Sequence, residues 1–428
     1  MKAVVKLRSL VFVVSLILLA STSALASVKL LHFGNTWHGS AWRQYVEERA
    51  RAFEAQNPDV EIEIITAGGL KEQFLTMHAG GIIPDVTEFI LVSGGEVASQ
   101  GYFTDLRPYF ERDSEVSLDN YLPPSREALT WTDGAIWGFP IDLYVTVALY
   151  NPRHFAEDGL ENPNELGVNW TWEALIDAGK KLTKDQDGDG VYDRMAVVNT
   201  ALAWSYNTFV RQAGGEMYDR LKDPTGSNLL DPAVERGVQF FVDLHRVHQI
   251  ADMDFHQWDP AVAMGLGSIN FVSGPHNLSD LPEGSEVDIA LQPHGPDNSG
   301  TYYAANSFQI PKGAQNPDLA WRWIKFLVGS EEAVRSFVAA TGSLPADIRV
   351  ARDYELMMPH PPQHADVFFR QALNPSNSHD PLGGASGVLR SMLDEILTPL
   401  IDGEVGVRSA LQDLHRRWTA LLADESRQ

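Results

Sequence analysis

The segment between residues 28 and 64 changes its hydrophobic period twice, and this constrains the fold more than any other feature of the sequence. Val28–Phe33 is β-prone and alternates loosely, and residues 60–64 alternate with period two. Between them, apolar residues recur at helical spacing: Trp42, Tyr45, Val46, Ala50 and Phe53. A strand, a helix and a second strand in this order begin an α/β sheet, so the sequence predicts an α/β fold.

The alternation of helical and β-prone segments continues along the chain. Thr171 is placed to cap one helix, and Asp231-Pro232 starts another. Further strands are predicted to begin at Pro84 and Tyr144. The predicted helices cover residues 70–79, 94–100, 172–182, the segment from 231 onward, 319–327 and 388–422, the last with a break at 402–403.

No cysteine occurs among the 428 residues, so disulfide bonds cannot stabilise this chain. Its stability has to come from buried apolar surface, and 44% of the residues are apolar. A chain of about 400 residues exceeds what one hydrophobic core normally holds. We therefore expect two domains.

The first 26 residues have the pattern of an export signal. Lys2, Lys6 and Arg8 precede an apolar run from residue 10 to residue 20, and small residues follow up to Ala26. We expect cleavage near Ala26 and a periplasmic mature protein. No later stretch approaches about 18 consecutive apolar residues, so membrane insertion is not expected.

The formal net charge is −24 at pH 7. Such an acidic surface repels phosphate backbones and anionic lipid head groups. Nucleic acids are therefore not expected as partners. A saline habitat would explain the acidity equally well.

Residues 185–193 form an acidic run closed by glycine, Asp-Gln-Asp-Gly-Asp-Gly-Val-Tyr-Asp. Oxygen ligands at alternate positions with glycine at position six wrap a hard cation such as Ca²⁺. The predicted metal ligands are Asp185, Asp187, Asp189, the Val191 carbonyl and Asp193. Position twelve is Ala196 rather than glutamate, so water or a distant ligand has to complete the shell. The alternative is a polar turn in which the glycines adopt positive φ.

A set of short strings spans nearly all of the chain after residue 26. They are Phe53-Glu54-Ala55-Gln56-Asn57-Pro58, Ile83-Pro84-Asp85-Val86, Gly101-Tyr102-Phe103-Thr104-Asp105-Leu106, Trp137-Gly138-Phe139-Pro140, Leu149-Tyr150-Asn151, Trp170-Thr171-Trp172-Glu173, Gly214-Gly215, Ser273-Gly274-Pro275, Ile310-Pro311-Lys312-Gly313 and Gly342-Ser343-Leu344-Pro345. In order and spacing the chain resembles the extracellular solute-binding proteins of carbohydrate ABC transporters, family 1, which include maltose-binding protein.

The resemblance implies a two-lobed periplasmic-binding-protein fold of type II, with lobes that are discontinuous in sequence. The N-terminal lobe would comprise residues 27–141 and 294–343, and the C-terminal lobe residues 142–293 and 344–428. Three hinge crossings would join them, at residues 141–145, 292–295 and 344–346. The implied function is binding of a sugar or small oligosaccharide and its delivery to the permease subunits of an ABC importer. We expect a monomer without enzymatic activity.

A sugar site combines aromatic rings, which pack on C–H faces, with carboxylates and amides, which bind hydroxyl groups. Such residues follow predicted strands, where ligands bind in open α/β sheets. The resemblance implies ligand contacts from these loops, from the first crossing, from a stacking ring and from the returning segment. The predicted ligand-binding residues are Trp37, His38, Glu88, Phe89, Asp142, Tyr144, Trp204, His276, Asn277, Tyr303 and Asn306.

Two features separate this chain from its relatives or link it to a subset of them. Relatives often have Trp directly after Gly274-Pro275, where this chain has His276 and Asn277. Polar donors in that place argue against a long malto-oligosaccharide and for a smaller or charged ligand. Alginate-binding relatives carry calcium in a similar acidic loop, away from the sugar, which implies a structural ion here.

Three other functions stay open at this point. A glycosidase needs no local motif, although no HExxH, GxSxG or P-loop string occurs. Adjacent tyrosines such as Tyr302-Tyr303 occur in ferric-ion-binding proteins. An anionic ligand, such as a uronate oligosaccharide or a glycerol phosphate, is the remaining alternative.

Overall fold

The computed structural model describes residues 27–35, 39–198, 203–252, 261–278, 281, 284–358 and 362–425. Some residues in its helices and strands are described by their backbone alone, namely 35, 39, 203–206, 272, 273, 276, 277, 424 and 425. Trp37 and His38 lie outside the described residues.

Eight strands lie within the described residues. They are β1 (Val28–Asn35), β2 (Val60–Ala67), β3 (Val86–Ile90), β4 (Phe139–Tyr150), β5 (Met195–Val198), β6 (Gly267–Ser273), β7 (Asp288–Ala290) and β8 (Tyr303–Gln309).

The α-helices of the described residues alternate with these strands. In the first half they are α1 (Gly39–Gln56), α2 (Leu70–Ala79), α3 (Leu91–Ser99), α4 (Arg107–Arg112), α5 (Pro123–Leu129), α6 (Pro152–Glu157), α7 (Pro163–Leu166) and α8 (Trp172–Leu182). In the second half they are α9 (Ala203–Gln212), α10 (Pro232–Arg246), α11 (Pro317–Val328), α12 (Glu331–Thr341), α13 (Ile348–Ala351), α14 (Tyr354–Met357), α15 (Asp366–Ala372), α16 (Ser386–Asp402) and α17 (Val407–Glu425).

The helix signals read from the sequence are confirmed at several ends. The Thr171 side chain accepts a hydrogen bond from the Ala174 backbone N–H and caps α8. Asp231 does the same for the first turn of α10, which begins at Pro232. The predicted break at residues 402–403 is real, because Gly403 has φ of 76° and ends α16. No helix among these described ranges has both the length and the apolarity needed to cross a membrane.

One strand joins the two halves of the sheet. The strand order is β2-β1-β3-β8-β4-β6-β5, with β7 also paired to β4. The first part of β4 pairs with β8, whereas residues 146–150 pair with β6. All twelve residues of β4 are buried, as expected for a strand that has neighbours on both edges and both faces.

Two large hydrophobic cores lie around this junction, and the first continues past it to Val147, Leu149 and Ile289. The first contains residues of β1–β3, α1, α5, the first part of β4, β8, α11 and α12. The second contains residues of α8, α9, α10, β6, α16 and α17. We call the bodies around them lobe one and lobe two. The exact lobe boundaries remain a prediction.

A third segment runs beside β4 where β4 passes between the cores. The Leu143 N–H donates to the Leu344 carbonyl at 3.0 Å, and the Ala346 N–H donates to the Ile141 carbonyl at 3.0 Å. β8 lies on the other edge of β4. Three chain segments therefore lie side by side between the two lobes.

Candidate functional site

A small group of apolar side chains belongs to neither core. Tyr144, Tyr302 and Ala304 cluster with Ile90 apart from the two large cores. Tyr144 lies opposite Ala304, and Ile90 lies opposite Asn306. Residues directly opposite in an antiparallel pair share a sheet face. With Asp142 and Asn306, these residues form a surface between the lobes that we call the interlobe floor.

The polar half of the interlobe floor is built around Asp142. This carboxylate has no solvent exposure, and its Oδ1 accepts hydrogen bonds from the Asn306 Nδ2 at 2.8 Å and the Asn306 backbone N–H at 3.3 Å. The Tyr144 hydroxyl interacts with Asp142, Asn306 and Ser343. Burial, reinforced by the charge of Asp142, raises the pKa of Tyr144 well above its usual value. Tyr144 is therefore a neutral hydrogen-bonding phenol at physiological pH.

The other end of the interlobe floor carries an ion pair from lobe two. The Tyr302 hydroxyl donates to Asp380 Oδ2 at 3.2 Å, and Arg390 Nη1 donates to the same oxygen at 2.7 Å. Burial raises the pKa of Asp380 above its usual value, although the Arg390 guanidinium opposes this shift. Two aromatic rings, two carboxylates, an amide and a guanidinium thus surround one surface, which is the group set that binds sugar hydroxyls and ring faces.

The two adjacent tyrosines point in opposite directions. Tyr303 begins β8 and Tyr302 directly precedes it in a bridge to Ser378, so their side chains emerge on opposite faces. Its hydroxyl lies 3.4 Å from the Pro124 carbonyl, and its ring contacts His379. Burial raises the pKa of both phenols. The pair therefore does not form a phenolate site for iron, and the predicted ligand contact of Tyr303 lacks geometric support.

Glu88 and Phe89 are both inside lobe one. Glu88 accepts from the Trp42 indole N–H at 2.9 Å and lies 2.8 Å from His32 Nε2. The Trp323 indole N–H donates to His32 Nδ1 at 3.0 Å, which assigns the His32 proton to Nε2. These contacts tie α1 and α11 to the strands below them. Glu88 and Phe89 were both predicted to contact the ligand, and we leave both out of the proposed site.

Phe89 is fully buried on the opposite sheet face, where its ring packs against Phe74 and Phe103. Asp85, just before β3, accepts the backbone N–H groups of Leu31 and Asn316 at 2.9 Å each. These hydrogen bonds give Asp85 a structural role at the turn before β3.

Several predicted contacts cannot be placed relative to the interlobe floor. Trp37 and His38 fall outside the described residues, as noted above. Trp204 lies in α9, and His276 and Asn277 lie in a 3₁₀ turn, but only their backbone is described. Their roles remain predictions.

The acidic run lies in lobe two, between α8 and the edge strand β5. Asp185, Asp187 and Asp193 each offer a carboxylate oxygen, and these oxygens lie within 4.8 Å of one another. Gly188 and Gly190 have φ of 76° and 88°. Their backbone N–H groups donate to Asp185 at 2.8 and 2.9 Å. The loop thus converges three exposed carboxylates, a donor set that fits a hard cation such as Ca²⁺.

Asp189 is not in that group of three, and its Oδ1 accepts the Val191 N–H at 2.8 Å. The ends of the loop are held by backbone hydrogen bonds between Lys184 and Arg194. The Arg194 guanidinium donates to the Leu182 carbonyl at 2.8 Å and to Asp158 at 2.6 Å. The base of the loop is therefore fixed by the protein itself.

A polar cavity of about 600 Å³ lies at the far end of β4, away from the interlobe floor. Its polar groups bind one another. Asp288 accepts from the Tyr150 hydroxyl at 3.2 Å and pairs with His364, while Asn164 donates to the Ile289 carbonyl at 3.0 Å. These bonds hold the turn at residues 363–365 against β7, so we interpret the cavity as structural.

Sequence reasoning missed Tyr302, Asp380 and Arg390. One signal for Tyr302 was present, because residues three apart on a strand lie on opposite faces. Tyr303 and Asn306 therefore could not both face a ligand. Asp380 and Arg390 carried no signal, because they meet the floor only through long-range packing.

Comparison with known proteins agrees with this architecture. Residues 35–334 match the family model described as bacterial extracellular solute-binding protein. A binding protein of Brucella abortus (strain 2308) is 23% identical over 330 residues, covering 72% of this chain and 74% of that protein. The maltotriose-binding protein of Pyrococcus abyssi is 22% identical over 326 residues, covering 73% and 66%.

Among solved structures, an ABC substrate-binding protein of Listeria monocytogenes in complex with cycloalternan superposes with a TM-score of 0.77 at 19% identity. The superposition covers 93% of this chain and 99% of that one. The predicted two-lobed α/β fold is thereby confirmed. The family match spans well over half of the sequence, and this chain therefore belongs to the bacterial extracellular solute-binding protein family.

Proposed function

We propose that this protein is the substrate-binding component of an ABC importer that binds a neutral sugar or small oligosaccharide between its two lobes. The observation that carries the proposal is the interlobe floor. It combines Tyr144 and Tyr302 with Asp142 and Asn306, apart from both cores. The names of relatives that bind maltotriose and cycloalternan support the same ligand class.

The charge around the interlobe floor favours a neutral ligand over an anionic one. Arg390 is a basic group that interacts with this surface, and it already pairs with Asp380. The internal segments outside the described residues contain no Lys or Arg. A uronate or phosphate would therefore meet carboxylates without a surplus of positive charge.

The remaining parts of the proposal follow from this role. The chain would be exported, cleaved near Ala26, and act in the periplasm as a monomer that docks on permease subunits. It would release its ligand chemically unchanged. Ca²⁺ would be held by Asp185, Asp187 and Asp193 in the acidic loop, as a structural ion remote from the interlobe floor.

A ligand screen tests the proposal. Thermal unfolding is measured with neutral mono- and disaccharides, uronic acid oligosaccharides and glycerol phosphate. We expect a neutral saccharide to raise the melting temperature, because a ligand at 100 times its Kd stabilises the folded state by about 2.7 kcal/mol. Stabilisation by uronates or glycerol phosphate alone would overturn the neutral-sugar assignment.

Two variants then locate the site. Tyr144→Phe removes one hydroxyl from the interlobe floor and should weaken saccharide binding roughly 3- to 10-fold. Trp204→Ala tests the predicted stacking ring. An affinity that survives both substitutions would place the ligand elsewhere.

A further inference from the structure

Two segments of lobe two lie side by side and reach lobe one. Leu221 packs against the core of lobe two, and so do Ala385 and Leu389 around the start of α16. The Leu382 N–H donates to the Leu221 carbonyl, and the Asp223 N–H donates to the Leu382 carbonyl, both at 2.7 Å. The Leu382 side chain, in contrast, is fully buried in the core of lobe one. The backbone of this pair of segments therefore belongs to lobe two, and one of its side chains is inserted into lobe one.

Lys222 makes a polar contact from the same pair of segments to the end of α5 in lobe one. Its Nζ donates to the Glu127 carbonyl, and to the Thr130 carbonyl at 2.6 Å. Asp223, the next residue, has φ of 48°, and its carboxylate interacts with the Trp131 side chain of lobe one. Two neighbouring side chains of lobe two thus hold the end of α5.

A carboxylate of lobe one makes a second polar contact, with the first turn of α16 in lobe two. The Gly387 backbone N–H donates to Glu96 on α3. The Glu96 side chain is only 5% exposed, and its other oxygen pairs with the Lys71 Nζ at 2.6 Å. The first N–H groups of a helix have no partner within that helix, and the helix dipole favours a negative charge there. Glu96 therefore stabilises the start of a helix that packs in the other lobe.

Glycine at two helical positions allows the lobes to approach this closely. A Cβ on Gly95, within α3, would lie 2.9 Å from the Leu382 Cβ. A Cβ on Gly387 would lie 2.5 Å from the Glu96 Oε1. Neither glycine has a positive φ, and alanine is the more favourable residue within a helix. The contact between the lobes, and not the backbone of either helix, therefore explains why these two positions lack a side chain.

We propose that the contacts of Lys222, Leu382 and Gly387 with lobe one form a clasp that holds the two lobes together, and that its strength sets how readily the chain opens to exchange its ligand. The clasp is separate from β4, β8 and the segment at residues 344–346, so the lobes can part at the clasp while these segments keep them joined. A ligand that binds the closed arrangement gains affinity from contacts that the protein makes with itself. The effect on affinity rests on the proposed function, whereas the opening of the lobes does not.

Distances between spin labels on the two lobes test the clasp. The chain has no cysteine, so cysteines introduced at Ile82 in lobe one and Val168 in lobe two, both exposed, carry the only labels. The distances are measured without ligand and with the saccharide found in the screen. We expect the otherwise wild-type chain to populate the separation seen in the structure. Gly95→Ala should shift the distances to longer values, because its Cβ displaces Leu382, and should weaken saccharide binding roughly 3- to 10-fold.

Lys222→Met removes a polar contact of the clasp without adding bulk, and it replaces Gly95→Ala if that variant does not fold. We expect the same lengthening of the distances and a similar loss of affinity. The matched control is Lys325→Met, which removes an ion pair with Asp113 at 2.7 Å within lobe one. It should lower the melting temperature but leave the distances between the lobes and the saccharide affinity within about twofold of wild type unchanged.

The outcomes separate the clasp from the proposed function. Distances that are the same in wild type, Gly95→Ala and Lys222→Met under both conditions would overturn the clasp. A wild-type chain that never populates the separation seen in the structure would overturn it as well. A wild-type chain that binds no saccharide would overturn the proposed function, and the distances measured without ligand would still decide whether the clasp holds the lobes.

Discussion

The acidic loop and the interlobe floor both depend on aspartates, but they satisfy these carboxylates in opposite ways. Asp185, Asp187 and Asp193 come from one run of nine residues, are exposed, and face one another. Asp142 and Asp380 come from distant segments, are buried, and are paired with Asn306 and Arg390 respectively. A bound cation would offset the repulsion between the carboxylates of the loop, whereas the floor supplies its own partners.

This difference shows which kind of site can be recognised from a sequence alone. Ligands that share one loop must recur at fixed spacing, so their pattern is visible in the chain. Partners that meet through tertiary packing have no fixed spacing. The following predictions test whether the two sets of aspartates behave as differently as their surroundings indicate.

The largest effect on the free energy of unfolding is expected when an aspartate of the interlobe floor, rather than one of the acidic loop, is replaced by alanine. Asp142→Ala should lower the free energy of unfolding by about 3 kcal/mol, because it leaves the buried Asn306 donors without their acceptor. Asp187→Ala, measured in chelator, should change it by less than about 0.5 kcal/mol, because this carboxylate is exposed. Urea unfolding of both variants checks the contrast. Equal losses would show that burial does not distinguish the two sites.

Calcium removal should have the next largest effect. At a Ca²⁺ concentration 100 times its Kd, the ion stabilises the folded chain by about 2.7 kcal/mol, and EGTA should remove this contribution. The melting temperature in Ca²⁺ and in EGTA gives the measurement.

Asp185→Asn provides the control for that experiment, because it should abolish the response to Ca²⁺ and leave the chain folded. Saccharide stoichiometry should be the same in Ca²⁺ and EGTA. A stoichiometry that fell in proportion to calcium removal would place the ion in the ligand site.

The smallest effect on the free energy of unfolding is expected from the protonation of a buried histidine, His379. Burial lowers the pKa of His379 to about 4, and the nearby Lys222 and Arg211 act in the same direction. The unfolded chain binds this proton near the usual value of 6.5. The stability that comes from neutral His379 is therefore complete above pH 6.5 and lost as pH falls toward 4.

His379→Asn should reduce the difference in unfolding free energy between pH 7.5 and pH 5.5 by about 1 kcal/mol. His154 in lobe two, whose pKa burial also lowers to about 4, supplies a separate contribution of the same sign. His154 is therefore left in place as an internal reference. An unchanged pH dependence in His379→Asn would show that this imidazole is not buried neutral in solution.

Much of the secondary structure could be read from local sequence. The residues predicted for one face of α1, Trp42, Tyr45, Val46, Ala50 and Phe53, are all buried. Thr171 and Asp231 cap the helices as predicted because capping depends on residues two or three positions away. The convergence of Asp185, Asp187 and Asp193 is equally local.

The candidate site could be predicted only in part from the sequence. Asp142, Tyr144 and Asn306 were predicted to contact the ligand; the structure brings them together, and their contact with a ligand stays a prediction. The choice between Tyr302 and Tyr303 depended on the register of β8 against β4, which no local pattern specifies. Glu88 is buried beneath Trp42 because α1 covers that part of the sheet, and only the packed fold reveals this.

The sequence by itself determined the α/β alternation, the helix ends and the acidic loop, because each depends on groups a few residues apart along one chain segment. Only the tertiary structure decided that Asp380 and Arg390 meet Tyr302, and that Asp142 is held by Asn306. Those contacts join segments up to 164 residues apart. They exist because β4, β8 and the segment at residues 344–346 come together between two separately packed cores.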